Sequence, residues 1–195
     1  MRAGQRNLQR ELTVAAMKPG FGAGAVHLNG IDIKIIAVIT ANTHALHALR
    51  QRLLEVYREN VSRRTQPFPG ITELLDNIEQ RGLNWGIVTN KPGWLTEPLL
   101  ESLGLLQRAA CIVSADSTEN RKPHPEPMFY ACQLANSQPE ECVYVGDARR
   151  DIEAGENAGM QTIIAQYGYI GDWENTDDWQ ADHSIQTPSQ LLALL

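Results

Sequence analysis

From about Phe68 onward, stretches of helical periodicity alternate with short apolar runs, and nothing else in the chain constrains its fold as tightly. Ile71 to Arg81 carries apolar residues at helical spacing and closes at Gly82; the run Leu83-Asn84-Trp85-Gly86-Ile87-Val88 follows and stops at Thr89-Asn90. The unit then recurs as helix Leu95 to Leu103, strand Cys111 to Val113, helix Glu126 to Ala135, strand Cys142 to Val145, helix Asp151 to Asn157 and strand Thr162 to Ala165. Strands separated by helices of this length pair in parallel through right-handed crossovers. The predicted class is therefore α/β, a doubly wound parallel sheet.

The first third of the chain is less regular. Leu46, Leu49, Leu53, Val56, Tyr57 and Val61 fall on one helical face while Arg50, Arg52, Glu55, Arg58 and Glu59 take the others, which predicts a long amphipathic helix over Ala45 to Arg64, started by Thr43. Upstream, Ile31 to Thr40 is an apolar run whose start alternates like a strand. Pro67-Phe68-Pro69-Gly70 interrupts any helix, because each proline removes a donor and restricts the residue before it. The expected boundary lies there, between a region 1–65 and a core 66–195.

Composition narrows the partners. A chain of 195 residues with 43% hydrophobic residues is long enough to bury a core without staples. Its formal charge of −6, with no basic stripe, speaks against nucleic acid. Cys111, Cys132 and Cys142 form neither a Cys-x-x-Cys pair nor a zinc spacing, which predicts a reducing, cytoplasmic setting. The longest apolar stretch is far short of the ~20 residues that span a bilayer, so no membrane partner is expected. Gly20-Phe21-Gly22-Ala23-Gly24-Ala25 superficially matches a dinucleotide fingerprint, but Pro19 precedes it where a strand is needed. His124 and His183 have neither a nucleophile nor a ligand cluster beside them in sequence.

In doubly wound sheets ligands bind beyond the carboxyl ends of the strands, so the residues just after each apolar run carry the functional information. Ile87-Val88 delivers Thr89-Asn90, Val143-Tyr144-Val145 delivers Gly146-Asp147 with Asp151 to follow, and the loop before Glu126 carries Lys122 between Arg121 and Pro123. Asp147 and Asp151, four residues apart, sit on one side of a helical first turn. Two readings stay open: a pair of hard oxygen ligands for Mg²⁺, or a helix cap and a carboxylate complementing the helix dipole. Lys122, held by flanking prolines, is either a point charge for a phosphoryl group or an exposed surface lysine. Thr89 and the amides near Asn90 are either phosphate donors or ordinary turn formers.

In this order the three segments resemble the haloacid dehalogenase-like phosphatase superfamily. They are Ile87-Val88-Thr89-Asn90-Lys91-Pro92, Arg121-Lys122-Pro123-His124-Pro125-Glu126-Pro127 and Val145-Gly146-Asp147-Ala148-Arg149-Arg150-Asp151. Phe68-Pro69-Gly70, Glu153 to Met160 and Tyr167-Gly168-Tyr169-Ile170 are similar to the phosphoglycolate phosphatase branch. The resemblance implies that Thr89 binds phosphoryl oxygens and Asn90 shapes the phosphate loop. It implies that Lys122 offsets charge, and that Asp147 and Asp151 serve Mg²⁺. The substrate would be a small phosphorylated metabolite, phosphoglycolate or an amino-sugar 6-phosphate, and 1–65 would be a partial N-terminal helical cap including Asn7 to Leu12.

One departure stands against the resemblance. The superfamily's reaction starts from an aspartate nucleophile in an Asp-x-Asp-Gly-Thr segment ending the central strand, and this chain has none; the only aspartate before Asp76 is Asp32. Both carboxylates and the strand between those carrying Thr89 and Asp147 are expected to be missing. The leading account is a phosphatase read from an internal start, inactive as written. The alternative is a non-catalytic relative that keeps a phosphate and metal pocket, with Ile31 to Thr40 as a weak candidate for the missing strand. A two-component receiver is disfavoured because its acids precede its lysine.

Overall fold

Each apolar run after Phe68 forms a strand and each periodic stretch between them a helix. The structure, a computed structural model, describes residues 11–14, 26–28, 31–33 and 65–195. The strands are β1 (Glu11–Val14), β2 (Val26–Leu28), β3 (Ile31–Ile33), β4 (Trp85–Val88), β5 (Cys111–Val113), β6 (Cys142–Gly146), β7 (Gln161–Ala165) and β8 (His183–Ile185). The α-helices among the described residues are α1 (Ile71–Gln80), α2 (Gly93–Ser102), α3 (Glu126–Ala135) and α4 (Arg149–Asn157).

Six strands make one parallel sheet in the order β5-β4-β1-β6-β7-β8. The chain leaves β1 toward β4 and β5 on one side, then returns to β6, β7 and β8 on the other, so the winding reverses between β1 and β6. That reversal opens a crevice at the carboxyl edge, where such sheets hold ligands.

This arrangement corrects one sequence expectation. The strand between β4 and β6 is present: Leu12 and Thr13 pair with Trp85 and Gly86, and Glu11 to Val14 pair in register with Cys142 to Val145. Four residues supply it, and Glu11 and Leu12, read above as the end of a cap helix, are extended. The run Ile31 to Thr40, the weak candidate for that strand, is described only at its start. Ile31–Ile33 pairs antiparallel with Val26–Leu28 in a separate two-stranded sheet, with Asp32 opposite His27.

The chain divides into two compact units, one of 1–18 with 65–195 and one of 19–64. The amphipathic helix expected over Ala45 to Arg64 lies outside the described residues.

Alternation along the strands sends side chains to two layers, as a period of two requires. Val143 and Val145 of β6 join Trp85, Ile87, Ile163 and Ile185 beneath α1, whose Ile71, Leu74, Leu75 and Ile78 form its buried face. Cys142 and Tyr144, on the opposite face of β6, pack with Val88, Val113, Met128, Ala131 and Ala154 under α3 and α4. Each fully buried Leu or Ile contributes about 1.5–3 kcal/mol, so α1, with four such residues, is held mainly by this layer. β8 is an edge strand that buries Ile185 while His183 and Ser184 stay exposed. No described helix is long and apolar enough to cross a membrane.

The placement of β1 is open to a direct test. A central parallel strand donates to neighbours on both sides, and proline there removes a ladder bond and leaves a buried acceptor unpaired, at about 1–3 kcal/mol. Thr13→Pro is expected to lower the urea midpoint by a corresponding amount. An unchanged midpoint would place residues 11–14 outside the sheet.

Candidate active site

The candidate residues come from the ends of β4 and β6, the loop before α3 and the first turn of α4. Thr89 follows β4 and continues the ladder, its amide donating to Val113 O at 2.8 Å. Its Oγ1 accepts from the Lys91 amide at 3.1 Å, a tight turn whose hydroxyl hydrogen has no acceptor among the described residues. Burial lowers the neighbouring Lys91 ammonium to about 8.

Lys122 comes from the loop between β5 and α3 and is buried, contrary to the exposed-lysine alternative. The Glu126 carboxylate ties that loop down by accepting from the Asn120 amide at 3.0 Å, the Asn120 side chain at 2.7 Å and the Glu119 amide at 3.2 Å. Asn90 fixes the main chain of Lys122 from the other side. Its Nδ2 donates to Lys122 O at 3.1 Å and its Oδ1 accepts from Lys122 N at 3.2 Å. Asn90, expected to shape the phosphate loop, thus brackets the main chain of a single residue with both ends of its amide.

The Lys122 ammonium donates to Val88 O at 2.7 Å and to the Tyr144 hydroxyl at 2.8 Å, and pairs with Asp151 Oδ1 at 2.9 Å. It lies 5.5 Å from the Tyr144 ring centroid. The short contact to oxygen identifies a hydrogen bond at the phenol tip and not a cation over the ring face. Burial pushes the lysine below its ordinary value, and the Asp151 carboxylate pulls it back up. Burial likewise holds the Tyr144 phenol well above its usual range, reinforced by the charges of Asp151 and Asp147. Tyr144 reads in the sequence as an apolar strand residue; only its position opposite Lys122 reveals its part.

Asp147 follows β6 and is buried, with Oδ2 accepting from the Tyr169 amide at 2.9 Å. A Cβ on Gly168 would collide with the Asp147 side chain, so only glycine lets this backbone come so near. Gly146 does the same for Asp151, whose Cβ lies where an alanine methyl at 146 would be. Asp151 sits in the first turn of α4, its amide donating to Ala148 O at 2.8 Å. The N-cap position of α4 is taken by Ala148, one residue after Asp147, and forms no side-chain cap bond.

Lys122, Asp151 and the end of β4 thus meet directly. Asp147 lies near enough for its charge to act on both Lys122 and Tyr144. Among the described residues no group of three or more His, Cys, Asp and Glu side chains forms a metal cage. Two buried carboxylates beside a cation suit Mg²⁺, which takes one or two carboxylates and completes its shell with water and phosphate oxygen. The two histidines are engaged elsewhere: His124 Nδ1 accepts from the Glu126 amide and His183 opens an edge strand.

A buried ion pair of this kind is costly to break from one side, about 3–5 kcal/mol, because the remaining charge is left without a partner. Lys122→Met and Asp151→Leu are each expected to lose about that much in urea denaturation. The double variant should recover most of the loss, and additive losses would show that the two side chains are not paired.

Residues 24–165 match the model of the haloacid dehalogenase-like hydrolase family. The chain is 42% identical over 144 residues to an N-acetylmuramic acid 6-phosphate phosphatase of Pseudomonas putida, covering 74% of this chain and 65% of that one. It is 34% identical over 180 residues to a phosphoglycolate phosphatase of Xylella fastidiosa, covering 92% of this chain and 76% of the other. A solved structure from Haemophilus somnus, described as a predicted phosphoglycolate phosphatase, superposes with a TM-score of 0.71 at 25% identity, over 76% of this chain and 65% of that chain. The chain spans just under two thirds of the first of these relatives and of that structure.

Proposed function

Because the chain belongs to the haloacid dehalogenase-like hydrolase family, we propose that its site takes the phosphoryl group of a small phosphorylated metabolite together with Mg²⁺. The reaction class is hydrolysis of a phosphoric monoester, as the names of the relatives state for those proteins. The observation that carries this reading is the buried Lys122–Asp151 pair at the strand reversal, with Asp147 on the next turn of chain. Phosphoryl transfer needs placement and neutralised charge more than covalent machinery from the protein, and a cation flanked by two carboxylates at a sheet edge supplies both.

In this reading Thr89 donates its hydroxyl to a phosphoryl oxygen and Lys122 offsets the charge of the group. Asp147 holds the metal and Asp151 orients both the metal shell and the lysine. Bound there, Mg²⁺ would polarise the phosphoryl oxygens and neutralise part of their charge. Asn90 keeps Lys122 in place. Phosphoglycolate and an amino-sugar 6-phosphate are the substrate chemistries that the two kinds of relative suggest, and a reducing cytoplasm accords with three buried thiols that form no disulfide.

Turnover by these 195 residues is the weaker half. Following β1 the sequence runs Ala15-Ala16-Met17-Lys18, with no carboxylate to attack phosphorus or to move a proton. The division 1–65 and 66–195 is retained in this reading as cap side and core side, except that Glu11–Val14 serves the core sheet.

Phosphate with Mg²⁺ is expected to raise the melting temperature of the chain. A ligand at a hundredfold excess over Kd contributes about 2.7 kcal/mol, and each kcal/mol is worth about 2–4 °C at this size. Asp147→Asn should remove the Mg²⁺-dependent part, and p-nitrophenyl phosphate should not be hydrolysed. Absence of any shift would contradict the binding reading. Turnover that disappears in Asp147→Asn would show that another nucleophile serves.

A further inference from the structure

An ammonium has three protons to give, and Lys122 has given all three. Its acceptors are Val88 O, the Tyr144 hydroxyl and Asp151 Oδ1, between 2.7 and 2.9 Å away. If Lys122 is to touch a phosphoryl oxygen, one of these contacts must be released.

The three acceptors are not equally easy to lose. Asp151 would be left as a buried, unpaired carboxylate, the most expensive outcome. Val88 O has the shortest contact and belongs to the end of a strand pinned on both sides. The phenol oxygen of Tyr144 is neutral and is the weakest acceptor of the set. It also has a second bond to fall back on, since the hydroxyl donates to Val88 O at 3.3 Å. Releasing the lysine therefore leaves no orphaned polar group on the tyrosine. Tyr144 itself is wholly buried in the layer beneath α3 and α4, so it cannot swing out to water.

We propose that the Tyr144 hydroxyl occupies the Lys122 proton that a phosphoryl oxygen takes on binding, so that Tyr144 is a positioning residue which holds the ammonium in place and lowers the affinity of the empty site for phosphate. The proposal rests on the phosphate-site reading above and goes beyond it in naming what the ligand displaces. Removing the hydroxyl leaves one buried ammonium proton without an acceptor until an anion supplies it. The unliganded protein is then less stable while its complex is not, and the difference appears as tighter binding.

The test is calorimetric titration of inorganic phosphate in the presence of Mg²⁺ into the unaltered chain, Tyr144→Phe and Lys122→Met. Tyr144→Phe is expected to melt lower without ligand yet bind phosphate roughly 5- to 150-fold more tightly, the range set by one unsatisfied buried donor. Lys122→Met should lose binding. Equal or weaker binding by Tyr144→Phe, with binding intact in the unaltered chain, would overturn this inference alone. No binding by either would overturn the phosphate-site reading with it. A second measurement needs no variant at position 144. The ring Cζ resonance of Tyr144 in the unaltered chain should move when phosphate is added, because the phenol loses a cationic donor. A resonance that stays still at saturating phosphate would refute the exchange.

Discussion

The ion pair between Lys122 and Asp151 is the contact around which this structure is organised. Neither partner is tolerable alone in a buried site, where the effective penalty for each unpaired ion is several kcal/mol. Together they join the loop before α3 to the first turn of α4, and through Val88 O they reach the end of β4. Gly146 exists to let Asp151 come close, Asn90 to fix the main chain that carries Lys122, and Tyr144 to receive the ammonium proton that would otherwise be left over. Removing the pair would leave these neighbouring choices without a purpose.

Its location follows from the winding of the sheet. Crossovers run outward in opposite directions from β1 and β6, so the winding reverses at that point of the carboxyl edge. β1 therefore matters out of proportion to its four residues. It completes the hydrogen-bond ladder between β4 and β6, the strands whose ends lead into Thr89 and Asp147. A sheet lacking it would leave two apolar edges unpaired.

The alternation from Ile71 to Ala165 was legible because its apolar spacing is strong and its helices end at glycines such as Gly82 and Gly104. β1 was not. A central parallel strand is usually a continuous apolar run, whereas Glu11-Leu12-Thr13-Val14 has only two apolar residues and follows a polar stretch that reads as helix. β8 escaped notice for a similar reason, since Ile185 alone is buried and no pattern arises from one residue. Thr89 and Asp147 stand out in the sequence by their place after strands, Asp151 by its spacing from Asp147 and Lys122 by its proline-flanked loop; the structure buries Lys122, Asp147 and Asp151 close together. The parts of Asn90 and Tyr144 do not stand out in the sequence, because their partner lies 32 and 22 residues away. Side-chain hydrogen bonds over such separations leave no periodic trace in a sequence.

The most direct test of the central contact is nitrogen-15 NMR of the lysine side chains. A solvated ammonium exchanges its protons too fast to be seen at neutral pH, but one that is buried and bonded three times is shielded from water. The Lys122 ammonium is expected to give a persistent signal with proton contacts to the rings of Tyr144 and the β-protons of Asp151. A Lys122 signal that is absent, or that shows neither neighbour, would contradict the account.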